Sequence, residues 1–197
     1  MKLYYCPNTR AVRARWLLEE LGIDHEVVRV DMRAGEHKTD TYKHSVHPLG
    51  RVPALIEGEM GIFESGAICQ YLADKFLERG FAPSFDAADR GRYLQWMAFS
   101  TATLEPAVIA LGMARAKKDE EAVAKAQANL DEISSMLADH LTERQYLLGD
   151  QFSAADVMNG SILGWAKSSG MLDDYPHVLT YAARVTSRPA ALRARAD

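Results

Sequence analysis

Apolar positions follow two different rules along this chain. As far as about residue 77 they form short β-prone runs broken by helical stretches, and beyond it they keep helical spacing only. "KLYY" is a short strand run, cut by Pro7-Asn8. Ala14, Leu17, Leu18 and Leu21 then share one face of a helix, with Arg10, Arg13, Glu19 and Glu20 outside and Gly22 placed to end it. "HEVVRVD" reads as a second strand, and 32–50 as a polar loop with at most a short helix. "VPALIE" and "GIFE" flank a glycine-containing turn, a hairpin signal, and a helix from about Ser65 to Leu77 follows. The expected order is βαβ, then a loop, then ββα.

Near Arg79 the composition changes: "RGFAPSFDAADR" has no strand pattern and reads as a linker. One long helix is expected over 86–116, kinked at Pro106. Val123, Ala126, Leu130, Ile133, Leu137 and Leu141 step by three or four, a helical stripe over 120–142. In "FSAADV", Ser153 and Asp156 form a capping box, with Asp in place of the usual Glu and Phe152 and Val157 placed as a hydrophobic staple. The predicted organisation is an α/β domain over 1–78, a linker over 79–85 and an all-helical domain over 86–197.

The 197 residues are 48% hydrophobic and 25% charged, enough for one large domain or two small ones. The net charge of -4 gives no footprint for nucleic acid or an anionic membrane. Arg184, Arg188, Arg193 and Arg195 read as a solvated last helix turn. No uninterrupted apolar run approaches the roughly 20 residues that a membrane span needs. Two cysteines, Cys6 and Cys69, make neither a disulfide scaffold nor a metal motif, so the expected setting is the reducing cytoplasm. His44 and His47 lack a third ligand, and no metal is expected.

The unusual stretch is "GRVPALIEGEMGIFESGA", because Pro53 begins an apolar run where a proline cannot join a central ladder. With "LYYCPNTRAVRARWLLEELG", "GEHKTDTY", "HPLGRVPALIE", "FESGAICQYLAD", "YLLGDQFSAADV" and "VTSRPAAL" in this order, the chain resembles cytosolic-type glutathione S-transferases over essentially its whole length, the bacterial Ser/Thr-type ones above all. The resemblance implies a thioredoxin-like N-terminal domain followed by an all-α C-terminal domain. It implies a cis bond at Val52-Pro53, which turns the Val52 backbone toward the cysteinyl part of glutathione. Glu64 and Ser65 would take the γ-glutamyl end, at a helix N-terminus suited to a carboxylate. His37 and Lys38 resemble positions that meet the glycyl carboxylate, assisted by Arg51. His47 stands where the family usually carries Asn.

The implied chemistry is activation of the glutathione thiol, which titrates near about 8.5 when free. Three residues compete at the sulfur: Thr9, where relatives open the first helix with Ser or Thr; Tyr4, if the first helix aligns without gaps; and Cys6, which would form a mixed disulfide. Arg10 lends positive charge beside them. Tyr5, Met97, Thr101, Leu104 and Trp165 are expected to line an electrophile site. The implied function is a glutathione transferase acting on small electrophiles, as a cytoplasmic homodimer without nucleic-acid or membrane partners. Two alternatives stand beside it: a glutathione-dependent disulfide reductase, and a non-catalytic binding protein of the same fold.

Overall fold

The computed structural model describes residues 1–196 and divides into two compact units. One holds residues 1–82 together with the tail from Arg188 on; the other holds Pro83–Ser187. The tail thus leaves the helical domain to which the sequence reading assigned it. The reason is a set of polar ties inside the first unit. Arg188 makes a two-nitrogen contact with the Glu20 carboxylate at 2.6 and 2.8 Å, and Arg193 pairs with Glu19 at 2.7 Å. The Tyr5 hydroxyl donates to the Ala194 carbonyl at 3.2 Å. The arginines expected as a solvated turn are therefore structural, Arg184 included, which donates to the Gln145 carbonyl within the second unit.

In the first unit, β1 (Lys2–Tyr5), α1 (Ala11–Leu21) and β2 (Glu26–Arg29) form the βαβ half; α2 (Asp40–Ser45) follows a 3₁₀ turn at Glu36–Lys38. The second half is β3 (Ala54–Glu57), β4 (Met60–Phe63) and α3 (Ser65–Lys75). The sheet order is β2-β1-β3-β4. β1 runs parallel to β2 and antiparallel to β3, with Tyr4 opposite Ala54. Alternation along β1 buries Leu3 and Tyr5 and turns Tyr4 to the other face, edge-on to Tyr42 at 5.8 Å. Gly22 closes α1 in the left-handed conformation at φ 64°, with its N–H on the Leu18 carbonyl.

Two residues of α1 expected outside lie inside. Arg13 is 3% exposed, because its guanidinium donates to the Ser65 hydroxyl of α3 at 3.3 Å. Glu20 is held by Arg188 and accepts from the Trp16 indole N–H at 2.9 Å.

In the second unit, α4 (Arg90–Phe99) and α5 (Glu105–Lys117) are joined by a π turn at Ser100–Leu104; α6 (Glu120–Leu141), α7 (Ala154–Ser168) and α8 (Pro176–Thr186) pack with them. α9 (Pro189–Arg193) belongs to the first unit. The long helix begins four residues later than the reading of 86–116, and its irregularity is the π turn just before Pro106. A proline brings no N–H for a preceding carbonyl, so the helix widens ahead of it. The run Arg90–Lys117 is long and apolar enough by composition alone to cross a membrane. Its buried side chains, Tyr93, Trp96, Met97, Leu104, Val108 and Leu111 among them, lie on the sides packed by α6 and α7.

The capping box of α7 forms as read. Asp156 goes further than a cap. Its fully buried carboxylate accepts from the Ser153 N–H and hydroxyl at 2.8 and 2.9 Å, from the Leu147 N–H at 2.9 Å and from the Tyr181 hydroxyl at 2.8 Å. It ties the turn before α7 to α8.

Candidate functional site

The strand registers bring the candidate residues together at one end of the sheet. In the β1–β3 ladder, Lys2 faces Ile56 and Tyr4 faces Ala54, where the pairing stops, so β1 runs out into Cys6 at the sheet end where Val52-Pro53 leads into β3. In the β3–β4 ladder Ala54 faces Phe63, the last residue of β4, so Glu64-Ser65 follows at that same end. Cys6, Val52-Pro53 and Glu64-Ser65 therefore share the edge where β1 and β4 finish and β3 begins. The Val52-Pro53 peptide is cis, and pairing along β3 starts only at Ala54. The Val52 N–H and C=O are left out of both ladders.

Ser65 opens α3 and is 4% exposed. Its hydroxyl, with the Arg13 guanidinium behind it, sits among the free N–H groups of an eleven-residue helix. Glu64 precedes it, exposed, at φ 72° and ψ 118°. Positive φ is uncommon for a residue with a Cβ, and such conformations concentrate at functional sites. An anion and a cation could both be met here, the first by Ser65 and α3, the second by Glu64.

The loop before Val52 is clamped from three directions. The Gly50 N–H donates to the His47 carbonyl at 2.8 Å, closing a turn over Pro48 and Leu49. Lys38 Nζ donates to the Gly50 carbonyl at 3.0 Å, and the Tyr42 hydroxyl to the Arg51 carbonyl at 2.8 Å. Burial, with Tyr4 adding to it, pushes the Tyr42 hydroxyl up to about 12, so it remains a donor at any physiological pH. Gly50 lies at φ 56°, and a Cβ on it would overlap the His37 carbonyl oxygen. His47, in place of the family's Asn, keeps the same local bond. Its Nδ1 accepts from the Leu49 N–H at 3.1 Å, as an Asn side-chain carbonyl does two residues on.

His37 is 8% exposed, and its Nδ1 has no hydrogen-bond partner among the described residues. Lys38 and Arg51 are exposed on either side of the Gly50 contact. Of the three residues competing at the sulfur, Thr9 is half-buried just before α1. Its hydroxyl donates to the Cys6 carbonyl at 2.6 Å and accepts from the Ala11 N–H at 3.2 Å. Cys6 is half-buried at the end of β1, and Tyr4 is engaged with Tyr42. Arg10 is exposed at the first position before α1. Cys69 is sealed in α3, and burial pushes its thiol up to about 12. Tyr5, Met97 and Leu104, expected along an electrophile site, are core residues: 1%, 5% and 0% exposed. Thr101 and Trp165 are exposed.

Sequence reading missed Arg13, Tyr42 and Gly50. Arg13 left a signal, since it lies one turn before Leu17 on the apolar stripe, where a charge needs a buried partner.

The N-terminal residues 1–74 match the family model "Glutathione S-transferase, N-terminal domain", and residues 97–189 match "Glutathione S-transferase, C-terminal domain". Glutathione S-transferase PARB of Nicotiana tabacum is 31% identical over 93% of this chain and 91% of its own. Glutathione S-transferase F9 of Arabidopsis thaliana is 30% identical over 96% and 94%. Among solved structures, a sphingomonad glutathione S-transferase complexed with glutathione superposes with a TM-score of 0.84 at 31% identity, covering 99% of this chain and 97% of that one. The bacterial transferase BphK, solved as a ternary complex, gives 0.84 at 29%, over 99% and 98%.

Proposed function

The chain belongs to the glutathione S-transferase family, and from that premise we propose that it activates the thiol of glutathione for attack on small electrophiles. The observation that carries this reading is the meeting of Val52-Pro53 and Glu64-Ser65 at one sheet end, beside the residues that follow β1. Three chemically different groups there match three parts of one tripeptide. The Val52 N–H and C=O suit the cysteinyl main chain, extending the sheet by one short antiparallel pairing. Ser65, with the α3 N-terminus and Arg13 behind it, suits the γ-glutamyl carboxylate, and Glu64 its ammonium. Lys38, His37 and Arg51 suit the glycyl carboxylate.

Thr9 is the group we assign to the sulfur, which makes this a Ser/Thr-type enzyme. Its hydroxyl already accepts from the Ala11 N–H, which polarises the O–H and makes it a better donor. Turning that O–H from the Cys6 carbonyl to the sulfur stabilises the thiolate, aided by the positive charge of Arg10. Each unit by which the thiol pKa falls corresponds to about 1.4 kcal/mol. The thiol proton goes to solvent, the sulfur lone pair forms the C–S bond, and the leaving group departs with its electron pair. A cytoplasmic homodimer, with no metal, nucleic acid or membrane involved, completes the reading.

The deciding experiment is calorimetric titration with glutathione. Micromolar-to-millimolar binding by the wild type is expected. In Ser65→Ala the affinity falls roughly ten- to hundredfold, the loss of one hydrogen bond to a charged group. No binding by the wild type sinks the reading. Thr9→Ala is expected to lower kcat/KM roughly ten- to hundredfold, the loss of one hydrogen bond to a charged sulfur. It also raises the pKa of the bound thiol, followed by thiolate absorbance, while Thr9→Ser restores both. Unchanged turnover and thiol pKa in Thr9→Ala removes the assignment.

A second reading is favoured by one observation, the place of Cys6, half-buried just after β1 at the sheet end where Val52-Pro53 leads into β3. A thiolate there would attack a glutathione mixed disulfide, taking the glutathionyl sulfur and releasing the substrate thiol. Reduction of a mixed disulfide that is lost in Cys6→Ser, without conjugation of a chloronitrobenzene, identifies this activity. Binding with neither activity identifies a non-catalytic protein.

A further inference from the structure

We propose that His47 is a positioning residue of the glutathione site, and that the site grips its ligand only while this imidazole is neutral. The inference rests on the reading of Val52, Glu64 and Ser65 as the glutathione-binding groups.

His47 is 2% exposed, packed between the loop it begins and the end of β4. Its Nδ1 accepts the Leu49 N–H at 3.1 Å, and its carbonyl accepts the Gly50 N–H at 2.8 Å. One residue thus fixes both bonds of the turn that delivers Arg51 and Val52. Its ring lies 4.8 Å from that of Phe63, tilted by 37°. Phe63 is the last residue of β4 and immediately precedes Glu64. The imidazole therefore touches the loop that leads into Val52 and the strand end that leads into Glu64-Ser65, the two segments that would hold glutathione.

An Nδ1 that accepts carries no proton, so the ring is neutral with its proton on Nε2. Protonation places an N–H against the Leu49 N–H, two donors with no acceptor between them. The Leu49 bond is then lost, which leaves the turn held by the Gly50 N–H alone and loosens the lead into Val52. The charged groups that face the ring are Glu64 from the end of β4, Arg51 from the same loop and Lys38 from the 3₁₀ turn. A cationic ring also weakens the field of Glu64, the group assigned to the ligand's ammonium. Burial is the largest influence and pushes the imidazole below its ordinary value of 6.5; Glu64 opposes this, and Arg51 and Lys38 reinforce it. Neutral His47 is thus the resting form near neutrality, and acid titrates it.

The sign follows from competition between proton and ligand for one state. With the imidazole pKa below 6.5, glutathione affinity is full above that pH and falls as the pH drops through the imidazole's own pKa. The carboxylates and amine of glutathione do not titrate in this window, and its thiol, whose ionisation the site favours, is taken out by using S-methylglutathione as the probe.

The test is the dissociation constant of S-methylglutathione, by calorimetry, between about pH 7.5 and pH 5, for wild type and His47→Asn. Asn offers an acceptor to the Leu49 N–H and has no proton to gain. Wild-type affinity is expected to weaken between about three- and thirtyfold toward the acid end. His47→Asn is expected to bind as tightly as wild type at pH 7.5 and to stay flat. A flat wild-type profile, or an equal slope in His47→Asn, overturns the proposal while leaving the functional reading in place. Absence of wild-type binding at pH 7.5 instead overturns the functional reading, and the proposal with it. Should His47→Asn not fold, the wild type carries the test. The Leu49 amide resonance must shift along the same titration curve as the affinity, and a pH-invariant Leu49 amide overturns the proposal.

Discussion

Asp156→Ala is expected to lower the unfolding free energy by about 4 kcal/mol, the combined cost of leaving several buried donors without an acceptor. Its carboxylate takes four hydrogen bonds at full burial, from the Ser153 N–H and hydroxyl, the Leu147 N–H and the Tyr181 hydroxyl. Burial raises the pKa of such a carboxyl, and these four donors work against that rise. Alanine removes every acceptor at once and also deletes the reciprocal half of the α7 cap. Tyr181→Phe removes a single donor and leaves the acceptor satisfied by the rest, so it should cost only about 1 kcal/mol. Urea unfolding followed by far-ultraviolet circular dichroism measures both. A loss below about 1 kcal/mol for Asp156→Ala would show that water or a rearranged turn satisfies the donors instead.

The second large effect is expected at Gly50. Gly50→Ala puts a Cβ into a residue at φ 56° and into the His37 carbonyl, whose carbon lies 3.3 Å from the new atom. Left-handed backbone costs a non-glycine residue about 1 kcal/mol or more, and the overlap must be relieved by moving backbone, for a total of roughly 3 kcal/mol. The displaced pieces are those that matter: the 3₁₀ turn with His37 and Lys38 on one side, and the lead into Val52 on the other. Glutathione affinity should therefore fall more than about tenfold, beyond the general loss of stability. Gly58→Ala is the control, because Gly58 has nearly the same φ, 60°, but open space around its Cβ direction. It should cost only the conformational part and leave binding unchanged. Equal affinities for the two variants would dissociate the Gly50 contact from the site.

Much of this architecture could be read from residue pattern because the informative signals are local. The β-prone run "KLYY", the glycine after Leu21, the hairpin turn and the Ser153–Asp156 spacing each report on neighbours a few residues away. What escaped were contacts made across the fold. Arg13 looks like a solvated helix charge until α3 brings Ser65 against it. Glu20 looks exposed until Arg188, far along the chain, covers it. The tail was assigned to the helical domain because helices follow one another there, whereas a bidentate ion pair and a tyrosine hydroxyl decide its place. In the candidate site, the proline and the Glu64-Ser65 pair are legible from sequence. The clamp around them was not, since Lys38, Tyr42 and Gly50 act on or through backbone carbonyls that no side-chain pattern encodes.

That placement of the tail has a consequence for how the protein is made. A chain leaves the ribosome from its N-terminus, and domains generally fold as they emerge. The sheet-bearing unit appears first, yet Glu19, Glu20 and the Tyr5 hydroxyl find their partners only in Arg193, Arg188 and Ala194. Its α1 stays without these ties through synthesis of the whole helical unit, Pro83–Ser187. The first unit to start is thus the last to be finished, and emergence of Arg188, Arg193 and Ala194, not of the strands, sets the moment at which α1 is locked.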